Sequence, residues 1–98
     1  MHAERCFVYI ATNASRTVLY IGIATNLHRR MWQHRYGLLD GFTKRYRVNR
    51  LTYAEEYTSA EAAARRERQL KGWTRARKYE LVRSRNPGFQ DLFPLFNM

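Results

Sequence analysis

The 98-residue sequence has little of several features that define large classes of protein. It has one cysteine, Cys6, so no disulfide can form within the chain. No apolar run approaches the ~20 residues that a membrane-spanning helix needs. The N-terminus lacks the layout of a signal peptide, because Glu4 and Arg5 precede only a short apolar run. We therefore expect no internal disulfide, no membrane span and a cytoplasmic location.

Acidic residues are also scarce. Eight Asp and Glu stand against eighteen Lys and Arg, which gives a formal net charge of +10. Such an excess attracts polyanions and releases their counterions on binding, so nucleic acid is the expected partner. A basic surface that only promotes solubility is the alternative. Membrane binding is disfavoured, because no basic amphipathic helix carries a bulky apolar face.

The length predicts a single domain over residues 1–98. A chain of this size buries roughly 60–65% of the surface that its unfolded form exposes. That is enough for one modest core, and a deep enclosed cavity is not expected.

Two apolar segments near the N-terminus predict a β-hairpin. Residues 7–11 and 18–23 are rich in β-branched and aromatic side chains, and polar residues 12–17 connect them. A loop symmetric about Ala14 and Ser15 would place Tyr9 opposite Tyr20, with Cβ atoms ~5 Å apart. Two phenols would then lie together on one face of the sheet.

The next segment predicts an amphipathic helix capped by Thr25 or Asn26. Its apolar stripe would contain Leu27, Met31, His34 and Leu38. Arg30 borders that stripe and Arg29 points away from it. Gly37 predicts the end of the helix, and residues 39–49 predict a basic loop.

The rest of the chain predicts one more strand, two more helices and an apolar tail. The strand spans residues 50–57, and Thr58 and Glu61 stand in a capping-box relation that opens a helix over residues 59–72. Thr74 caps a last helix, which ends near Arg85 before Asn86. The tail, residues 89–98, is expected to pack across the core. The fold class is α+β: a small three-stranded antiparallel sheet flanked by two or three helices.

Helical periodicity alone makes Glu67 a candidate functional residue. It lies in the middle of a predicted inward face formed by small and apolar side chains, Ala60, Ala63, Ala64 and Leu70. A carboxylate there costs free energy unless it is paired or binds a cation. The small alanines would let the helix approach the sheet closely and direct Glu67 toward it.

These residues together resemble the GIY-YIG nuclease family. The family signature is two strand triads about ten residues apart, then a helix with an arginine and a later helix with a glutamate. Here residues 7–9 stand at the first triad, and Tyr20-Ile21-Gly22 matches the second in full. Residues 64–73 are similar to small stand-alone bacterial members. The chain departs from the pattern at Phe7 and Val8, which replace Gly and Ile, and at Ile23, where some relatives carry a lysine.

The resemblance implies a metal-dependent DNA endonuclease that hydrolyses phosphodiester bonds. Glu67 would hold one Mg²⁺ or Mn²⁺, and Arg30 would neutralise the phosphate oxygens. Tyr9 would act as general base if nearby cations lowered its pKa, and Tyr20 would orient the water or phosphate. His34 would share a proton or contact a phosphate, and Asn86 would support the Glu67 side. All of these except Asn86 should converge on one face of the sheet.

Basic side chains outside this set are expected to contact nucleic acid, and DNA in preference to RNA. The candidates are Arg29, Arg35, Lys44, Arg45, Arg47 and Lys71. Substrate form, sequence preference and oligomeric state do not follow from the sequence.

Structural explanations of the same residues stay open. A strand tyrosine is usually half-buried packing, and His34 can be a structural histidine. Arg30 and Glu67 can form a buried ion pair without any metal. Two other functions also stay open: a non-catalytic, basic nucleic-acid-binding module of the same fold, or a ribonucleoprotein assembly factor that favours folded RNA.

Overall fold

The structure is a computed structural model that describes residues 5–39 and 41–96, the side chain of Phe96 excepted. The elements follow in the order β1 (Cys6–Thr12), β2 (Leu19–Ala24), α1 (Leu27–Arg35), α2 (Phe42–Arg45), β3 (Arg50–Tyr57), α3 (Ala60–Lys71) and α4 (Arg75–Arg85), with a final 3₁₀ turn over Phe93–Phe96. Within these described residues no helix has the length and apolarity to cross a membrane. The predicted α+β class is confirmed.

The three strands form one antiparallel sheet in the order β2-β1-β3, as predicted. The predicted hairpin register is wrong by two residues, because Tyr20 pairs with Ala11 and Tyr9 pairs with Gly22. The side chain of Asn13 explains the shift. Its Oδ1 accepts hydrogen bonds from the backbone N–H groups of Thr17 and Val18, at 2.9 and 3.0 Å, which centres the loop one residue later. Both tyrosines still face the same side of the sheet.

Helices cover both faces of the sheet. Val8 and Ile10 face a core shared with α3 and α4, whereas Tyr9 and Ala11 face a core shared with α1. This alternation follows from the two-residue period of a strand. The structure therefore has three layers, and the two predicted phenols lie in the layer of α1.

Strand β3 contains a bulge that anchors the end of α4. Ile10 pairs with Tyr53 and Ala11 with Leu51, so Thr52 is the extra residue. The buried Asn86 amide donates to the Thr52 carbonyl at 3.0 Å. Asn86 is also the C-cap of α4, and its side chain exchanges two further hydrogen bonds with the backbone of Gln90.

Helix α2 was not predicted, since residues 39–49 were expected to form a basic loop. It has only four residues, so no helical periodicity could identify it. Its first turn is closed by the backbone N–H groups of Arg45 and Tyr46, which donate to Gly41 and Phe42. It raises the number of α-helices in the described part of the chain to four, one more than the predicted maximum.

Two helix boundaries also differ from the prediction. Helix α1 begins after its N-cap Asn26 and ends at Arg35, and Gly37 then adopts a left-handed φ of 64°. Leu38 consequently lies outside the helix and is 57% exposed, so its place on the buried stripe was wrong. Ser59, not Thr58, caps α3, which leaves Ala60 exposed in the first turn.

The described part of the tail packs on the core, as predicted, and it does so against α1. Leu92 and Phe93 are half-buried against the α1 core, and Phe93 stacks on His28 with ring centroids 4.9 Å apart. The backbone N–H of Leu92 donates to the Leu51 carbonyl at 2.7 Å. Leu95 is exposed, and Asn97 and Met98 lie outside the described residues.

Candidate active site

Three aromatic side chains meet on the α1 face of the sheet. The rings of Tyr9, Tyr20 and His34 have centroids between 5.7 and 6.1 Å apart. The Tyr9 hydroxyl and Nε2 of His34 are hydrogen-bonded at 3.0 Å. Tyr9 is fully buried, His34 is 5% exposed and Tyr20 is half-buried. The predicted proximity of the two phenols is therefore observed, diagonally across the hairpin, with His34 against both.

Gly22, which the family resemblance marked only as the last residue of a triad, makes this arrangement possible. A Cβ atom at position 22 would lie 2.7 Å from the Tyr9 ring and hydroxyl, and 2.9 Å from the Tyr20 ring. Both rings therefore rest on the bare backbone of Gly22. A glycine inside a strand is the available sequence signal, because it often marks a close approach of other atoms.

Arg30 lies beside the aromatic cluster at the mouth of a cleft. The cleft measures about 320 Å³, and Tyr20, Arg30 and His34 line it together with residues of the α1–α2 region. One guanidinium nitrogen of Arg30 donates to the Ile23 carbonyl at 3.1 Å. No carboxylate lies within 4 Å of Arg30 among the residues described, so the alternative of an Arg30–Glu67 ion pair does not hold there.

Glu67 lies on α3, the helix that packs against the other face of the sheet. It stands one turn after Ala63 and one turn before Leu70, which are buried in that layer. Its convergence with the tyrosines stays a prediction. Its partly buried carboxylate pairs with Lys71 at 3.3 Å. The charge of Glu67 nevertheless acts on Tyr9, where it contributes to raising the phenol pKa. No hydrogen bond joins Glu67 to either tyrosine in residues 5–39 and 41–96.

The electrostatics of the cluster favour neutral side chains. Burial raises the pKa of Tyr9 to about 12, and the neighbouring Arg30 offsets only part of this increase. The condition set for Tyr9 as general base, a pKa lowered by nearby cations, is therefore not met in the protein alone, because burial outweighs the effect of Arg30. Burial and the Arg30 charge lower the pKa of His34 to about 4. At neutral pH the pair consists of a protonated phenol and a neutral imidazole.

His34 also carries a buried polar atom, Nδ1, that has no hydrogen-bond partner among the described residues. Such an atom is costly unless it serves a purpose or meets an unseen partner. The other nitrogen, Nε2, is hydrogen-bonded to Tyr9, so a second proton on the ring would leave a buried N–H group of the imidazolium without a described acceptor.

We expect the stability of the protein to fall as the pH is lowered from about 6.5 to about 4. The folded chain excludes a proton from His34 that the unfolded chain takes up below pH 6.5. The free energy of unfolding should therefore decrease by at most about 3 kcal/mol over this range. Urea unfolding at several pH values measures the decrease. The variant His34→Gln should lose this part of the slope, and parallel curves for the two proteins would contradict the assignment.

The described residues could hold a divalent metal only together with further ligands from outside the protein. The described residues contain no group of three or more His, Cys, Asp or Glu side chains that could hold a metal. Mg²⁺, however, commonly binds one or two carboxylates together with substrate phosphates and water. A single carboxylate such as Glu67 fits that mode, whereas an all-protein metal cage does not fit.

The residues predicted to contact nucleic acid differ in whether a carboxylate within the fold already pairs with their charge. Arg35 forms an ion pair with Asp91 and stacks over Phe93 at 4.3 Å, so its charge is used within the fold. Lys71 is paired with Glu67. The charges of the other four predicted residues are exposed and have no carboxylate within 4 Å among the described residues: Arg29, Lys44, Arg45 and Arg47. Arg29 lines a cleft next to Arg30.

Asn86 is not brought to the cluster. Its hydrogen bonds serve the bulge at Thr52 and the turn to Gln90. No hydrogen bond links it to Glu67, Tyr9 or Tyr20 in the part of the chain that the structure describes. Its position at the end of α4, directly before Pro87, is enough to explain why an asparagine stands there.

Comparison with known proteins agrees with the class that this fold and cluster suggest. Residues 5–80 match the family model described as the GIY-YIG catalytic domain. The chain therefore belongs to the GIY-YIG family.

Within that family the chain is similar to UPF0213 proteins. One from Natronomonas pharaonis is 36% identical over 76 residues, which are 78% of this chain and 88% of that protein. One from Staphylococcus aureus is 35% identical over 79 residues, which are 81% of this chain and 95% of that protein. The solution NMR structure of a UPF0213 protein from Bacillus halodurans aligns with a TM-score of 0.57 and 26% identity, and covers 89% of this chain and 92% of that one.

Proposed function

We propose that the protein is a divalent-metal-dependent phosphodiester hydrolase that cuts DNA at the cleft beside Tyr9, Tyr20 and His34. The observation that carries the proposal is the buried Tyr9 phenol, hydrogen-bonded to His34 and adjacent to Arg30. A packing tyrosine needs neither an unpaired arginine nor an imidazole at its hydroxyl. Family membership and the net charge of +10 support a nucleic-acid substrate.

Tyr9 and His34 would together remove the proton from the attacking water. The phenol oxygen takes that proton as its own proton passes to Nε2 of His34, which gives a neutral tyrosine and an imidazolium. The low pKa of His34 opposes this step in the protein alone. A phosphate bound in the cleft would favour it, because a nearby negative charge stabilises the imidazolium.

Arg30 and Tyr20 would act on the phosphate itself. Both line the cleft, and Arg30 carries a charge that no described carboxylate neutralises. A guanidinium can bind two non-bridging oxygens at once and stabilise the charge that develops on them. Tyr20 would donate a hydrogen bond that holds the phosphate or the water in line.

Glu67 would hold one Mg²⁺ or Mn²⁺ against the phosphate. When bound, the ion supplies Lewis-acid stabilisation of the leaving oxygen. The Lys71 ammonium lies 3.3 Å from the Glu67 carboxylate, and the metal would replace it as the partner of that carboxylate.

The direct test is to incubate the purified protein with labelled single-stranded, duplex, nicked and branched DNA, and with RNA, in Mg²⁺, Mn²⁺ or EDTA. We expect cutting of DNA that stops in EDTA. Glu67→Gln should raise the metal concentration for half-maximal cutting about tenfold or more, since it removes the one protein ligand. Glu61→Gln, an exposed carboxylate on the same helix, is the matched control.

Two outcomes would contradict the proposal. Tight binding without cutting of any substrate would favour the non-catalytic nucleic-acid-binding module. Equal metal dependence of the Glu67→Gln and Glu61→Gln variants would remove Glu67 from the metal site.

A further inference from the structure

Helix α2 exposes an aromatic pair. Phe42 and Tyr46 are 49% and 44% exposed, and their ring centroids are 4.9 Å apart. Leaving two large aromatic rings in water forfeits the free energy of their burial. Such a pair is a candidate binding surface when a recognisable ligand can reach it.

The pair lies along a series of clefts that begins at the candidate active site. Phe42 lines the cleft of Tyr20, Arg30 and His34, and it also lines the next cleft, of about 420 Å³. Tyr46 lines that second cleft and a third one, of about 380 Å³. A chain molecule leaving the active-site cleft would therefore meet Phe42 first and Tyr46 next.

The surroundings of the pair are basic. Lys78 lines the second cleft and Arg47 lines the third, and neither has a carboxylate within 4 Å among the described residues. Arg45 lies over the Tyr46 ring, 5.8 Å from its centroid. An apolar protein partner would gain nothing from these charges, whereas a strand with aromatic bases and phosphates matches both features.

A second exposed aromatic pair lies on α1 and provides a control for the first. Trp32 and Tyr36 on α1 have the same four-residue spacing and the same centroid distance of 4.9 Å. They are exposed as well, but they line none of the four clefts described along this surface. The two pairs therefore share exposure and ring proximity, and they differ in position relative to the candidate active site.

We propose that Phe42 and Tyr46 bind an unpaired base of a single-stranded segment that runs from the active-site cleft across α2. Arg47 and Lys78 contact its phosphates. The inference rests on the proposed function only in taking the molecule in the active-site cleft to be part of the same nucleic-acid strand. Because a duplex keeps its bases stacked inside, the surface favours single-stranded DNA or a single-stranded arm over a plain duplex.

The test measures binding without cutting, by fluorescence anisotropy in EDTA. The probes are a labelled oligodeoxythymidylate of about 12 nucleotides and an abasic strand of the same length and charge. The wild type should bind the strand with bases about tenfold more tightly. The Phe42→Ala/Tyr46→Ala variant should lose this difference, and so should Phe42→Leu/Tyr46→Leu, which keeps apolar side chains without aromatic faces. Trp32→Ala/Tyr36→Ala should keep it.

The salt dependence of oligonucleotide binding separates base stacking on Phe42 and Tyr46 from phosphate contacts by the basic residues. The slope of log K against log salt concentration should stay unchanged in the Phe42/Tyr46 variants, and Arg47→Ala or Lys78→Ala should reduce it by about 0.7. Equal affinity of the wild type for both strands, or an unaffected Phe42→Ala/Tyr46→Ala variant, would overturn the proposal. So would a loss of self-association in that variant, seen by sedimentation, without any change in base-dependent binding.

Results that contradict the base-stacking surface differ from results that contradict the proposed nuclease activity. Cutting that persists while base-dependent binding is independent of Phe42 and Tyr46 would overturn the base-stacking surface alone. Base-dependent binding that needs both rings, in a protein that cuts nothing, would overturn only the nuclease.

Discussion

Replacing Tyr9 by phenylalanine is expected to lower kcat/KM for DNA cleavage about 10²–10⁴-fold, the range typical for loss of a general base. The substitution removes one oxygen atom from a fully buried ring and leaves the packing of β1 unchanged. On the proposed mechanism it deprives the water of its proton acceptor, and it leaves both nitrogens of His34 without a partner among the described residues. Single-turnover cleavage by the wild type and the variant at saturating metal measures the loss.

Tyr53→Phe is the matched control for this experiment. Tyr53 is also a buried strand tyrosine, and its hydroxyl donates to Glu55 on the opposite face of the sheet. Both variants should lose about 1–3 kcal/mol of stability: Tyr9→Phe leaves a buried nitrogen of His34 without its partner, and Tyr53→Phe removes one of the hydrogen bonds that the Glu55 carboxylate accepts. Only Tyr9→Phe should lose activity at a temperature where both are folded. Equal activity of the two variants would return Tyr9 to a packing role.

Gly22→Ala is expected to lower cleavage about 10²-fold, close to what a misplacement of 1 Å costs a reacting group. The new methyl group would lie 2.7 Å from the Tyr9 hydroxyl and ring. Tyr9 is fully buried, so its ring cannot swing into solvent, and the backbone of β2 or the ring must shift. Both tyrosines then leave their places in the cluster. We expect a stability loss of about 1–3 kcal/mol from this overpacking.

Gly72→Ala is the control that shows whether replacing any glycine by alanine lowers cleavage. A Cβ at position 72 meets only ordinary contacts, the nearest atom being 3.5 Å away, and its backbone is helical. This variant should keep full activity. A Gly22→Ala protein with normal activity and unchanged tyrosine fluorescence would contradict the close packing of both rings on Gly22.

The sequence predicted the elements of this fold better than their detailed pairing. Strand β3 and helix α4 were predicted at almost their observed bounds, because apolar periodicity and capping residues are local signals. The hairpin register depends on one side chain, Asn13, that binds two backbone groups four and five residues further along. No local pattern in the strands themselves distinguishes the two registers, since both place Tyr9 and Tyr20 on one face.

The candidate site was predictable to the extent that it is built from short-range geometry. Spacing within the hairpin was enough to predict that Tyr9 and Tyr20 lie together, and the family resemblance implied that His34 joins them, as it does. The layer to which α3 belongs is decided by how the chain crosses the sheet, which spacing does not encode. The ion pair between Arg35 and Asp91 was also invisible, because the two residues are far apart in the chain and meet only when the tail packs on α1.

The division of the candidate site between two layers affects how a newly made chain would behave. The phenols and His34 are on the α1 side of the sheet, and Glu67 follows on α3, near the last third of the sequence. A nascent chain, or one in which α3 has detached, would hold the phenols without the carboxylate. On the proposed mechanism such a chain would not cut DNA, so cleavage would begin only once the complete fold has assembled.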